Sequence, residues 1–109
     1  MFEEKAIKLE YIIPITTIAQ ELENYNIPYV CVQLWDGLQL RFPWCDGDII
    51  CHSGSFGHEY GNVESYCFYW DNNDCTELEP KKAIDLLIHL YAEMKFDEIL
   101  KSYYDSIEG

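Results

Sequence analysis

Tyr29-Val30-Cys31-Val32-Gln33-Leu34-Trp35-Asp36-Gly37-Leu38-Gln39-Leu40-Arg41-Phe42-Pro43-Trp44 is the stretch that decides the fold. Two runs rich in β-branched, aromatic and apolar residues, Tyr29 to Trp35 and Leu38 to Trp44, flank Asp36-Gly37, which is a strong hairpin signal. A two-residue Asp-Gly loop pairs Trp35 with Leu38 and mixes polar and apolar residues on each face. A three-residue loop, Trp35-Asp36-Gly37 with Gly37 left-handed, pairs Leu34 with Leu38, Val32 with Leu40 and Val30 with Phe42. That second register makes one clean apolar face, so it is the expected one. Arg41, Gln39, Gln33 and Cys31 then share the opposite face.

Working outward, Asp48 to Ser53 and Val63 to Trp70 read as two further strands. Residues 54–62 between them hold three glycines, which marks a loop that is mobile or tightly turned. On the N-terminal side, Ile15, Ile18, Ala19, Leu22 and Tyr25 recur at helical spacing, and Thr17 with Gln20 is placed as a capping box. A helix over roughly Thr16 to Asn26 follows. The alternation of Ile7, Leu9, Tyr11 and Ile13 against Lys8 and Glu10 fits a short strand equally well. After Pro80, Ala83, Ile84, Leu87, Leu90, Tyr91 and Met94 mark an amphipathic helix to about Lys95. Phe96, Ile99, Leu100 and Tyr103 continue a helical face, and Asp97 could cap a second helix, so one or two C-terminal helices are expected. No linker divides residues 1–109. The expectation is a single α+β domain: an antiparallel meander of about four strands, with one N-terminal and one or two C-terminal helices packed on one face.

The chain has 109 residues, 49% apolar and 16% aromatic, enough for a real core. Twenty acids against seven Lys and Arg give a formal charge of −13, which argues against direct binding to nucleic acid or an anionic membrane. The acidic start Met1-Phe2-Glu3-Glu4 does not resemble a signal peptide, and no apolar run is long enough to span a bilayer, so a cytoplasmic location is expected. Cys31, Cys45, Cys51, Cys67 and Cys75 are odd in number and lack C-x-x-C spacing, so free thiols are expected. Cys45, Cys51, His52 and His58 match no common zinc pattern, and adjacent Cys51 and His52 point to opposite faces of a strand. Residues 71–77 fail the calcium-loop pattern because Cys75 and Thr76 stand where oxygen ligands and glycine are needed. Between Glu21 and Glu79 lie eleven acids and one base, Arg41. That field opposes a thiolate nucleophile paired with His52, His58 or His89. Asp46 and Asp48 could form a carboxylate pair, but nothing marks a general acid. Neither catalysis nor a metal or other cofactor is expected.

The charge map points elsewhere. Residues 21–79 hold −10 of the −13. Their acids Asp36, Asp46, Asp48, Glu59, Glu64, Asp71, Asp74, Glu77 and Glu79 fall largely at turns and strand ends. Trp35, Trp44, Tyr60, Tyr66, Tyr69 and Trp70 are interleaved with them. Turns favour Asp in any case, so a solvated rim accounts for the acids alone; aromatic neighbours are what a protein interface adds. Phe42-x-Trp44-x-x-x-Asp48 is echoed by Phe68-x-Trp70-x-x-x-Asp74, as two similar strand exits or as a paired surface.

A short, acidic, tyrosine-rich single domain containing cysteines resembles the small inhibitors encoded by phages and mobile elements, anti-CRISPR proteins above all. The resemblance is one of type and rests on no motif. It implies a non-enzymatic inhibitor in the host cytoplasm whose acidic surface imitates DNA for a basic nucleic-acid-binding protein such as a CRISPR-Cas nuclease, where paired arginines read the PAM. The residues proposed for that contact are Asp36, Asp46, Asp48, Glu59, Glu64, Asp71, Asp74, Glu77, Trp35, Trp44 and Trp70. Two other readings are a small-ligand or nucleotide-sequestering protein closed by the 54–61 loop, and a regulatory interaction domain that uses its helices.

Overall fold

The computed structural model describes residues 6–66 and 76–108. Cys67, Trp70, Asp71, Asp74 and Cys75, with the second half of the internal echo, lie outside the described residues. The elements in chain order are α1 (Leu9–Asn24), β1 (Val30–Leu34), β2 (Gly37–Phe42), β3 (Gly47–Cys51), a 3-10 turn (His58–Tyr60), β4 (Val63–Tyr66), β5 (Thr76–Leu78) and α2 (Pro80–Glu108). The strands form one antiparallel sheet in the order β1-β2-β3-β4-β5. Both helices pack on one face of it. The expected α+β meander is present, with five strands and not four; the three-residue β5 is too short to carry a periodicity.

The N-terminal helix begins seven residues before the expected Thr16, and no strand forms over residues 7–13. Pro14 sits inside α1 and hid its continuity, because proline removes an N–H and disfavours the helical region for the residue before it. The interior proline is offset by burial: Tyr11, Pro14, Ile15, Ile18 and Leu22 line the face turned to the core. Thr17 is therefore mid-helix and not a cap, and its hydroxyl donates back to the Ile13 carbonyl at 2.8 Å. At the other terminus α2 runs without a break through Lys95-Phe96-Asp97, so there is one C-terminal helix.

The hairpin register differs from the expected one by a residue. Leu34 pairs with Gly37, Gln33 with Leu38 and Cys31 with Leu40, which leaves Trp35-Asp36 as a two-residue loop. Trp35, not Gly37, is left-handed, with φ 54°. Glycine stands at 37 for space: a Cβ there would lie 1.8 Å from the backbone oxygen of Cys51. A one-residue slip turns β1 over, so Val30, Val32 and Leu34 share the open face with Gln39 and Arg41, while Cys31 and Gln33 lie on the side of Leu38 and Leu40. The slip is tolerated because β1 is the edge strand and its residues are exposed or half-buried. The core is built from Leu40, Phe42, Ile49, Cys51 and Val63 of the sheet against α1 and against Ala83, Ile84 and Leu87 of α2.

Candidate partner-binding surface

Antiparallel connectivity puts the Trp35-Asp36 turn and the 52–62 loop at the same end of the sheet. This end is tightly built. The Asp36 carbonyl accepts the Lys8 N–H at 3.0 Å, and its carboxylate Oδ1 accepts the Ser53 N–H at 3.1 Å. Asp36 is 9% exposed, and the Ser53 N–H holds its carboxyl below the ordinary carboxylate range against the opposing effect of burial. In the loop, the His52 N–H donates to Ser55 Oγ at 3.0 Å and the Gly54 N–H to His52 Nδ1 at 2.9 Å. The Asn62 N–H closes on the Gly57 carbonyl at 3.0 Å. Gly57 is left-handed at φ 81°, and a Cβ there would meet the Glu77 side chain at 2.6 Å. Of the two expectations for this glycine-rich loop, the tight turn describes it.

Glu64 and Glu77 tie the loop to the sheet. Glu64 Oε1 accepts the Phe56 N–H at 3.1 Å, and Asn62 Nδ2 donates to Glu77 Oε2 at 2.7 Å. The two carboxylates are directly opposed on β4 and β5, a like-charge pair that costs stability across a sheet. Around them the loop end presents aromatic rings to solvent: Trp35 is 65% exposed, Phe56 62% and Tyr60 76%. Trp35 also leans edge-on against the buried His52, with centroids 4.8 Å apart. Glu59 stands beside Tyr60 and pairs with His58 Nε2 at 3.1 Å.

The proposed contact residues therefore separate into groups. Trp35 and Glu59 lie at the loop end, Trp35 against His52 and Glu59 beside His58, and Glu64 and Glu77 meet that loop from β4 and β5. Asp46 and Asp48 lie at the opposite end, where they line a shallow groove of about 450 Å3 with Val30, Arg41 and Tyr66. There Gln39 Nε2 donates to Asp48 Oδ2 at 2.6 Å, and Arg41 Nε donates to Gln39 Oε1 at 3.0 Å. Asp36 is committed to the turn. Trp44 faces the helices: its Nε1–H donates to the Pro28 carbonyl at 2.8 Å and its ring meets Tyr91 edge-on at 5.0 Å. Phe56 was missed because a lone aromatic between Ser55 and Gly57 belongs to no periodic pattern. Its signal is the flanking glycines, which leave a large ring little to bury against.

Among the described residues, Lys95–Glu98 is an ion pair and His58 Nε2 lies 3.1 Å from a Glu59 carboxylate oxygen. The carboxylates of Asp36, Asp48, Glu64 and Glu77 are met by neutral N–H donors, which orient them and leave their charge in place. Burial raises the Cys31 thiol above its ordinary value. Burial pushes Cys51 up to about 11, with the carboxylates of Glu10 and Asp36 adding to it. His52 is buried with Nδ1 engaged by Gly54, and His89 lies on the exposed flank of α2 with Nδ1 at 2.8 Å from the Asp85 carbonyl. Among the described residues, no group of three His, Cys, Asp or Glu is placed to hold a metal ion. No helix there is long and apolar enough to cross a membrane. Searches of protein-family models, curated proteins and solved structures find no match to this chain.

Proposed function

We propose that the chain is a non-enzymatic inhibitor that seats its loop end on the basic nucleic-acid-binding surface of a defence protein, a CRISPR-Cas nuclease being the class that the resemblance implies. The observation that carries this reading is that one end of the sheet presents three solvent-facing rings, Trp35, Phe56 and Tyr60, together with Glu59 on a loop that Glu64 and Glu77 of the adjoining strands hold by hydrogen bonds. An arginine that reads DNA offers a planar guanidinium, which forks onto a carboxylate and stacks on an aromatic face. The loop end supplies both kinds of partner at one end of the sheet. Its carboxylates are held before binding, so little rotamer entropy is lost on contact.

The charge density also fits. Glu64 and Glu77 are opposed on neighbouring strands one spacing of ~4.8 Å apart. Successive phosphates of a single DNA strand are ~3.4 Å apart, a separation of the same order.

The test removes charge while keeping hydrogen bonds. Glu59→Gln, Glu64→Gln and Glu77→Gln each retain a carbonyl acceptor, so the Phe56 and Asn62 contacts can survive. Purified protein is titrated into a panel of Cas nucleases holding fluorescent target DNA, at two salt concentrations. Wild type displaces DNA from one of them, less effectively in high salt; the triple variant is weaker by tenfold or more with unchanged circular dichroism. Failure of wild type to displace DNA from any, or an unaffected triple variant, refutes the proposal.

A further inference from the structure

The apolar side of α2 changes over at Lys95–Phe96. At ~100° per residue, Ala83, Leu87, Leu90, Tyr91 and Met94 project in one direction, and Phe96, Leu100, Tyr103 and Ile107 project about half a turn away. The first set packs on the protein; Ala83 and Leu87 are fully buried. The second set does not. Phe96 is 59% exposed, Ile99 66%, Tyr103 58%, Tyr104 57% and Ile107 61%. The helix carries this stripe beyond the body, giving extents of 56 × 30 × 25 Å and a radius of gyration of 16.0 Å. A compact chain of this length has a radius near ~13 Å.

We infer that the stripe pairs with the same stripe of a second copy of this chain, the two helices antiparallel. Area supports a specific contact: with Ile99 and Tyr104 flanking the stripe and covered along with it, aromatic side chains at ~200 Å2 and isoleucine somewhat less, the five exposures sum to at most ~500 Å2 a copy and ~1,000 Å2 for the pair, at the threshold of a specific interface. Spacing supports a second copy. Residues 96, 100, 103 and 107 follow the 4-3-4 steps of a coiled-coil seam, which reads the same in both directions. Run antiparallel, Phe96 meets Ile107 and Leu100 meets Tyr103, and each layer recurs by two-fold symmetry. Charge sets the direction. Parallel helices would bring the bodies of two chains, each chain of net −13, side by side. The antiparallel overlap separates them by ~18 Å of helix, more than two Debye lengths at physiological salt.

Sedimentation equilibrium on the full chain tests this from about 1 to about 300 μM, the range expected for an interface of minimal size. Wild type doubles in mass across the range, more readily at high salt because the copies repel. Tyr103→Asp, on the stripe, weakens self-association at least tenfold; Ser102→Asp, off the stripe, does not. Both positions are exposed, so circular dichroism stays unchanged. X-ray scattering of the dimer finds the two bodies at opposite ends of the helical overlap. A chain that stays monomeric, or a dimer indifferent to Tyr103→Asp, overturns the inference; bodies lying side by side overturn the antiparallel pairing.

Discussion

Trp35 and Trp44 bracket β2, and the structure assigns them opposite energetics. Trp44 is half-buried, with its indole N–H on the Pro28 carbonyl and its ring against Tyr91 and Phe42. Trp44→Ala gives up about 120 Å2 of buried apolar surface, worth ~3 kcal/mol, and a hydrogen bond worth ~1 kcal/mol net. The expected cost is about 3–4 kcal/mol, a large share of the ~5–15 kcal/mol available to a domain. Trp44→Phe keeps most of the ring contact and should cost about 1–2 kcal/mol. Trp35→Ala, at an exposed ring, should cost under about 1 kcal/mol, because the edge contact with His52 is what is lost and the left-handed backbone strains either Cβ. Urea titration followed by far-ultraviolet circular dichroism measures all three without using the tryptophans as reporters. Equal midpoints for wild type and Trp44→Ala would refute the view that this ring pins the β2–β3 turn to α2. In the DNA-displacement assay the order should reverse: Trp35→Ala lowers potency and Trp44→Phe does not.

Three further outcomes follow from the loop end and the core. The Asp36 carboxyl is held below its ordinary value, so the stability it contributes is complete above the unfolded-state pKa and is lost as pH falls through the lower, folded-state pKa. The difference in urea midpoint between wild type and Asp36→Asn should therefore shrink as pH falls from about 5 towards 2; a constant difference would contradict the assignment. Gly37→Ala drives a Cβ into the Cys51 carbonyl and should cost about 3 kcal/mol or more, measured by thermal unfolding; a neutral effect would mean that β2 and β3 sit farther apart. In native protein the exposed Cys31 should react with a thiol reagent ahead of buried Cys45 and Cys51, and all five thiols should titrate after denaturation. Fewer than five would reveal a disulfide or a bound metal.

What could be read from the sequence was local, and what could not was set by contacts between distant residues. Asp36-Gly37 announces a turn through composition alone, and the helical spacing after Pro80 needs no tertiary information. The register of the turn depends on Cys51 and Ser53, which lie fourteen or more residues away: one excludes a side chain at 37 and the other engages the Asp36 carboxylate. Alternation within Tyr29 to Trp44 favoured burying both strands on one face, a rule that loses its force at an edge strand lying partly in solvent. Pro14 hid the start of α1 because its cost is local and its compensation, burial beneath Tyr11 and Ile15, is not. The change of face at Phe96 reads as weakened periodicity; with no proline or glycine between Lys95 and Asp97 to stop the helix, the backbone continues and the pattern rotates.

The same distinction governs the acidic residues. Net charge is additive along the chain, so the excess in residues 21–79 was visible from counting; the role of each carboxylate depends on which donor faces it. Asp36 is buried against the Ser53 N–H, and replacing it perturbs the turn. Glu64 and Glu77 hold a loop and face solvent together, so the negative potential at that end survives their structural use. A rim of acids selected only for solubility would be free to spread apart, whereas Glu64 opposes Glu77 on neighbouring strands at a cost in stability. The neutral donors Phe56 N–H and Asn62 Nδ2 fix both side chains without cancelling either charge. A basic partner would relieve that repulsion on binding. The Glu64→Gln and Glu77→Gln changes should accordingly act in opposite directions on the two properties measured, raising or preserving the stability of the free chain while lowering its affinity for a basic partner.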